Sequence, residues 1–295
     1  MRATMLHRTF GADIASTVAA SAKLLGFLLL VLALAPVQAV NLLRKNGDPF
    51  RVPRFFHRMV LGLLGLQVRT HGTMLATAPV LYVANHSSYL DIPVLGSLIP
   101  AAFVAKEDVA RWPLFGMLAK LQRTVFVDRR PSHAHDHGDD LRTRLGKGQS
   151  LILFPEGTSS DGLYVLPFKS GLFAAIEQKL PSGAHVAVQP VSIVCTELDG
   201  LPITRALRPY YAWFGDMTLI GHLWNAFRLG HFTVDVAFHA PVAPESFVGR
   251  KALALYCQQQ VAHGVEQSLG RHYPDPPPPA SPAPTSANDD ALADA

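Results

Sequence analysis

His86 and Asp91 stand with four residues between them in Asn85-His86-Ser87-Ser88-Tyr89-Leu90-Asp91, just past the apolar run Val80-Leu81-Tyr82-Val83-Ala84. An imidazole accepts a proton near neutral pH, and a carboxylate beside it fixes its tautomer and steadies its protonated form. Such a pair can take a proton from a hydroxyl. On one straight helix, residues five apart point about 140° away from each other. The chemistry therefore requires His86 in a loop and Asp91 in the first turn of a helix. The same residues also make an ordinary helix start, with Ser87 or Ser88 as N-cap and Ser88 with Asp91 as a capping box.

A second apolar run, Leu151-Ile152-Leu153, leads into Phe154-Pro155-Glu156-Gly157-Thr158-Ser159-Ser160. A carboxylate at a strand end, then a glycine and three hydroxyl residues, suits the binding of a polar substrate; the plainer reading is a turn. Lys106, Arg123, Arg129 and Arg130 flank two further strand-like runs. They either hold an anionic group through charge-assisted hydrogen bonds or are solvated surface charges. Lys106 and Arg129 closely follow apolar runs, which puts them at the same sheet end as His86. His133-Ala134-His135-Asp136-His137 alternates in a way that can bind metal. It follows Pro131 in a polar connection without the partners of a closed site, so a solvated loop is expected. No G-x-S-x-G elbow occurs, which argues against an α/β-hydrolase.

The elements that must position these groups alternate. Strands are expected at Val80–Ala84, Ala102–Ala105, Thr124–Val127, Leu151–Phe154, Val186–Val194 and Thr233–Phe238. Helices are expected at Leu90–Ile99, Asp108–Leu121, Asp139–Leu145 and Leu172–Leu180, with a terminal helix over Glu245–Leu269. Strands alternating with helices imply an α/β fold, a layered sheet flanked by helices. No internal repeat is visible.

Ahead of that domain the chain is basic and apolar. Residues 1–72 carry nine Lys/Arg and two Asp, a net +7, which leaves −3 for the remainder of a chain with net charge +4. Apolar residues make up 49% and charged ones 16%, and the mean hydropathy is +0.19. This points to a membrane, and a basic segment beside apolar stretches suits an anionic bilayer better than nucleic acid, for which no motif is present. Leu24–Leu43 reads as a transmembrane helix, a kinked interfacial helix or a signal peptide. Arg44, Lys45, Arg51, Arg54 and Arg58 follow the run, which favours keeping that side in the cytoplasm and argues against cleavage. Phe55 to Leu66 reads as an interfacial helix. Cys195 and Cys257 offer no disulfide framework and fit a reducing compartment, with Cys195 expected as a core thiol. The expected organisation is a membrane-associated helical segment over 1–72, a catalytic domain over 73–272 and a disordered Pro/Ala-rich tail over 273–295.

Four blocks in this order resemble the glycerolipid acyltransferases of the bacterial lysophosphatidate acyltransferase type. They are Asn85-His86-x4-Asp91; Lys106 through Pro113-Leu114-Phe115-Gly116 to Phe126-Val127-Asp128-Arg129; Phe154-Pro155-Glu156-Gly157-Thr158; and Val188-Gln189-Pro190-Val191. The resemblance covers about Thr70 to Pro241. It implies transfer of a fatty acyl group from an acyl carrier protein or coenzyme A thioester to a lysolipid hydroxyl, at the cytoplasmic face of a bacterial inner membrane, with no cofactor and no metal. By this likeness His86 is the base and Asp91 its partner, Glu156, Gly157 and Thr158 belong to the acceptor site, and Lys106 and Arg129 bind an anionic head. The family commonly has arginine after Glu-Gly-Thr, where this chain has Ser159. Loss of a bidentate cation weakens the case for a phosphate acceptor. Some relatives acylate lyso-ornithine lipid, and Tyr211-Ala212-Trp213-Phe214-Gly215-Asp216-Met217 with His222-Leu223-Trp224 resembles that branch. Lysophosphatidate is the first expectation and lyso-ornithine lipid the second. A non-catalytic lipid-binding protein on the same fold is the rival from another class.

Overall fold

The computed structural model describes residues 2–44, 47–77, 79–127, 134–176, 186–229 and 231–271, and their side chains apart from those of residues 2–15 and 134–139. Among the described residues eight strands form one sheet: β1 (Leu66–Gly72), β2 (Val80–Ala84), β3 (Ala102–Lys106), β4 (Val125–Val127), β5 (Leu151–Leu153), β6 (Ala187–Leu198), β7 (Leu201–Pro202) and β8 (Phe232–Phe238). Their order is β1-β8-β6-β2-β5-β3-β4, with β7 attached to β6. Neighbours from β6 through β2, β5 and β3 to β4 are parallel; β8 runs against β6, and β1 lies parallel to β8. The C-terminal ends of β2, β5, β3 and β4 therefore share one edge, where open α/β sheets present their functional groups.

The central strands are continuous apolar runs because both faces are covered. Tyr82, Ala84, Phe103 and Ile152 face one core, shared with the N-terminal helices, whereas Leu81, Val83, Val104, Leu151 and Leu153 face the other. The first core is closed by α1 (Arg2–Leu43), α2 (Arg51–Leu64), α3 (Asp91–Leu98) and α6 (Leu219–Arg228). The second is closed by α5 (Ala134–Gly146) and α7 (Gly249–Ser268), the latter through Leu253, Cys257, Val261 and Val265. Cys195 and Cys257 are both buried free thiols in these cores.

α1 continues through Pro36. Ala20, Phe27, Val31 and Gln38 form a buried stripe along it, and the Gln38 side-chain amide donates to the carbonyls of Pro49 and Leu121, each at 2.9 Å. Helix spacing puts these four residues on the side that meets the domain. The opposite side exposes Leu25, Leu29, Leu32, Val40 and Leu43. Ser16–Leu43 is the one helix among the described residues long and apolar enough to cross a membrane.

Several features differ from the sequence reading. The helix expected over Asp108–Leu121 is a 3-10 turn (Glu107–Arg111) followed by α4 (Phe115–Leu121). Pro113 disfavours helix at the residue before it, Leu114 takes φ +61°, and a Cβ at Gly116 would come within 2.4 Å of the Ala110 carbonyl oxygen. Leu66–Gly72 lies in the sheet as an edge strand, although its Arg69-Thr70-His71-Gly72 end gives little apolar signal. The stretch from Ala134, expected as a loop, is helical, and α6 is an element that the sequence reading does not contain. Residues 177–180 of the expected Leu172–Leu180 helix and the 273–295 tail lie outside the described residues, and Ser170–Ile176 is a 3-10 helix.

Candidate active site

His86 leaves β2 in a loop and Asp91 opens α3, the bent arrangement that the five-residue separation demands. The ring Nδ1 lies 3.0 Å from Asp91 Oδ2. Asp91 is fully buried while the His86 side chain keeps 20% of its surface, so the carboxylate sits behind the ring and the ring faces outward. The same Oδ2 accepts the backbone N–H groups of Ser87 at 2.7 Å and Ser88 at 2.9 Å. Such bonds stabilise the ionised carboxylate. The α3 N-terminus beside it works in the same direction. With Nδ1–H donating to Asp91, the neutral ring carries its lone pair on Nε2, which has no hydrogen-bond partner among the described residues.

Capping and chemistry coincide here. Asp91 reaches back to Ser88 N–H as in a capping box, while Ser88 Oγ accepts from Leu90 N–H at 3.2 Å. The acid that closes the first turn is the acid that holds the imidazole.

The segment Glu156–Ser160 grips the His86 main chain from both sides. His86 N–H donates to Glu156 Oε1 at 3.0 Å, and Ser160 N–H donates to the His86 carbonyl at 2.9 Å. Phe154, at the end of β5, stacks on the imidazole with ring centroids 4.2 Å apart and planes 20° from parallel. Gly157, at φ +77°, provides the left-handed turn that reverses the chain between these contacts. Glu156 is buried, and burial pushes its carboxyl up to about 8, opposed by the bond from His86 N–H. It holds a proton at neutral pH. From sequence, Glu156 is expected in the acceptor site; its observed partner is the His86 backbone N–H. Asn85 secures the other side of the loop, exchanging bonds of 2.8 Å with Ile193 N–H and C=O on β6.

A segment far along the chain completes the surroundings. Tyr211 is buried and its hydroxyl donates to Asp91 Oδ1 at 2.9 Å. Trp213 N–H donates to the Ser87 carbonyl at 2.8 Å, and Ser159 Oγ donates to the Trp213 carbonyl. The Tyr89 hydroxyl meets His222 Nδ1 at 2.8 Å, and His222 Nε2 meets the Ala212 carbonyl at 3.1 Å. Ser159, where the family commonly has arginine, is thus a tie between two loops. Tyr211 stands out in the sequence only as part of a resembling run; no spacing signal links residues 120 positions apart.

Lys106 ends β3 on the same sheet edge, exposed, with one strand between β3 and β2. Thr158 is exposed at that edge too. Arg129 lies outside the described residues, as do Arg130 and His133. Arg123 lies just ahead of β4, where its carbonyl accepts from Arg144 Nη1 at 2.8 Å. No cluster of three or more potential metal ligands occurs among the described residues.

Beside the motif an apolar cavity of about 210 Å³ runs between α1, α2, α4, α6 and the sheet. Tyr89 and Leu90 of the motif line it, together with Phe27, Val31, Phe56, Val60, Phe103, Leu223 and Phe227. His57 and Gln122 also line it and are joined at 3.0 Å; burial pushes the His57 imidazole down to about 4, so it is neutral. A hydrogen-bonded His–Asp pair whose intervening residues Tyr89 and Leu90 line an apolar cavity suits proton abstraction from a hydroxyl beside an acyl chain.

Fold and site together define an α/β acyl-transfer enzyme. Residues 67–194 match the family model described as Acyltransferase. The lyso-ornithine lipid O-acyltransferase of Brucella abortus (strain 2308) is 42% identical over 250 residues, covering 83% of this chain and 94% of that protein. That of Rhizobium meliloti (strain 1021) is 40% identical, covering 83% and 86%. The 1-acyl-sn-glycerol-3-phosphate acyltransferase of Neisseria gonorrhoeae is 32% identical over 160 residues, covering 54% and 58%. The crystal structure of the 1-acyl-sn-glycerophosphate acyltransferase PlsC from Thermotoga maritima superposes with a TM-score of 0.63 at 21% identity, covering 89% of this chain and 98% of that one, a shared fold. The chain belongs to the acyltransferase family, as an O-acyltransferase.

Proposed function

We propose that this enzyme transfers a fatty acyl group from an acyl carrier protein or coenzyme A thioester to the free hydroxyl of lyso-ornithine lipid, at the cytoplasmic face of a bacterial inner membrane. The observation that carries the chemistry is His86 Nδ1 bonded to a fully buried Asp91, with Nε2 left open. As the acceptor oxygen attacks the thioester carbonyl carbon, Nε2 takes its proton. The tetrahedral intermediate collapses, the carbon–sulfur bond breaks, and the imidazolium returns the proton to the departing thiolate. The acyl chain occupies the apolar cavity beside Tyr89 and Leu90. Glu156, Gly157 and Ser160 hold the base in place, Lys106 and Thr158 at the sheet edge meet the acceptor head, and Arg129 joins them by family resemblance.

The sequence reading places lysophosphatidate first. Two observations move lyso-ornithine lipid ahead of it: near full-length likeness to lyso-ornithine lipid O-acyltransferases, and Ser159 engaged with Trp213 where a phosphate-binding arginine would stand. Lysophosphatidate is the second reading, supported by Lys106 and by likeness to enzymes named for that acceptor. α1 packs its buried stripe on the domain and turns Leu25, Leu29, Leu32 and Val40 outward, which suits a helix lying in the bilayer surface with the domain below it.

Purified enzyme with acyl thioester should release thiol in the presence of lyso-ornithine lipid, faster than with lysophosphatidate. Undiminished release by His86→Ala would remove the mechanism; faster turnover of lysophosphatidate would restore the second reading.

A further inference from the structure

The family model ends at residue 194, yet the contact that closes the buried side of the catalytic pair comes from residue 211. Asp91 Oδ2 is engaged by the imidazole and two backbone N–H groups, whereas Oδ1 faces the Tyr211 hydroxyl at 2.9 Å and Ser87 Oγ at 3.4 Å. The Tyr211 ring is fixed edge-on against Phe232 of β8, centroids 5.7 Å apart. Its chain neighbours are tied down as well, by Trp213 N–H on Ser87 and by His222 on Ala212. A buried phenol held so rigidly, with its hydroxyl on a carboxylate oxygen, does more than fill space.

We propose that Tyr211 is a positioning residue for acyl transfer: its hydroxyl fixes the rotation of the Asp91 carboxylate and draws charge toward Oδ1, setting how strongly Asp91 supports His86 as base. This rests on His86 being the base. Tyr211 remains a neutral donor, because burial and the facing Asp91 raise its phenol well above the ordinary range. The other titratable groups around Asp91 are Glu156 from the loop after β5 and Cys195 from β6. Arg208 and Asp161 lie one step further, beside Ser87 and Tyr211. Cys195 is a neutral thiol and Glu156 titrates on the alkaline side, so neither contributes to the acid limb of the rate profile.

Removing the hydroxyl takes one donor from Asp91 and leaves more of its charge to Nδ1–H, shared with the Ser87 and Ser88 donors, which favours the imidazolium. Tyr211→Phe should lower kcat roughly tenfold with KM for the thioester nearly unchanged, and should move the acid limb of kcat/KM to higher pH. Incorporation of 3-fluorotyrosine at 211, a stronger donor, should move that limb to lower pH. Opposite shifts from the two replacements are the expected result. A wild-type profile in both, or a rate loss with no shift in either, overturns the proposal. If Tyr211→Phe does not fold, the fluorinated enzyme decides alone through the direction of its shift. His86→Ala separates the two levels: an active His86→Ala enzyme defeats the general-base reading itself, whereas an inactive one beside unshifted Tyr211 replacements defeats only this inference.

Discussion

Glu156 and His86 meet side chain to main chain, the carboxyl oxygen of one accepting the backbone N–H of the other at 3.0 Å. The loop that family resemblance assigns to the acceptor is thereby part of the scaffold that holds the His86 main chain. Glu156→Gln keeps the acceptor oxygen and matches the neutral form that burial enforces, so thiol release at pH 7 should stay within about threefold of wild type. Glu156→Ala leaves a buried N–H unpaired, a penalty of about 1–3 kcal/mol, and should cut kcat at least roughly tenfold. Parallel kinetics of the two variants check this; equal losses would show that the charge itself matters.

Protons bound by Glu156 also make stability depend on pH. Its folded-state value of about 8 stands above the ordinary 4.5. The stability it contributes is complete below 4.5 and is lost as pH rises to about 8. His57 and His239 act at the other end, both held down to about 4 by burial. Their contribution is complete above about 6.5 and is lost as pH falls to about 4. Denaturant midpoints should therefore decline on both sides of a maximum between about pH 6 and 7, and Glu156→Gln should flatten the alkaline side and steepen the acid side above about pH 4.5.

The central strands and the bend at His86 are legible in the sequence because each is local. A both-sides-buried strand is an unbroken apolar run, and a loop-to-helix transition leaves Ser88 and Asp91 in capping positions. β1 escapes such a reading because an edge strand needs little apolar sequence; Arg69 pairs with Glu197 at its surface at 2.8 Å. α4 starts later than its pattern suggests because Pro113-Leu114 interrupts an otherwise helical run with a backbone twist that composition does not reveal. The grip of Glu156 and Ser160 on His86, and the tie of Ser159 to Trp213, depend on which loops meet above the sheet. That information is topological, and nothing in either segment alone encodes it.

Ser159 offers a direct test of head-group choice. Its hydroxyl is tied to the Trp213 carbonyl rather than turned to a substrate. Ser159→Arg restores the bidentate cation common in the family at this position and gives up one neutral hydrogen bond, about 1 kcal/mol. The ratio of kcat/KM for lysophosphatidate to that for lyso-ornithine lipid should rise roughly tenfold. An unchanged ratio in a folded variant would locate head-group selection elsewhere on the sheet edge.

Asp91→Asn probes the proposed catalytic role of the His86–Asp91 pair with almost no change in volume. The two carboxylate oxygens accept from the imidazole, from two backbone N–H groups and from the Tyr211 hydroxyl. An amide accepts through one oxygen only, so its NH₂ must face either the imidazole or the Tyr211 hydroxyl. With the amide nitrogen at the Oδ2 position, the two backbone N–H donors lose their acceptor. Nδ1 must then accept rather than donate, which moves the ring proton to Nε2 and removes the lone pair that the base needs. With the amide nitrogen at the Oδ1 position, Tyr211 must reverse its bond, and no negative charge remains behind the imidazolium. Either arrangement impairs proton abstraction without altering the cavity for the acyl chain. The expected loss is roughly 10²–10⁴-fold in kcat with KM for the thioester within about threefold. Steady-state thiol release measures both, and a large rise in KM with kcat preserved would instead make Asp91 a binding residue.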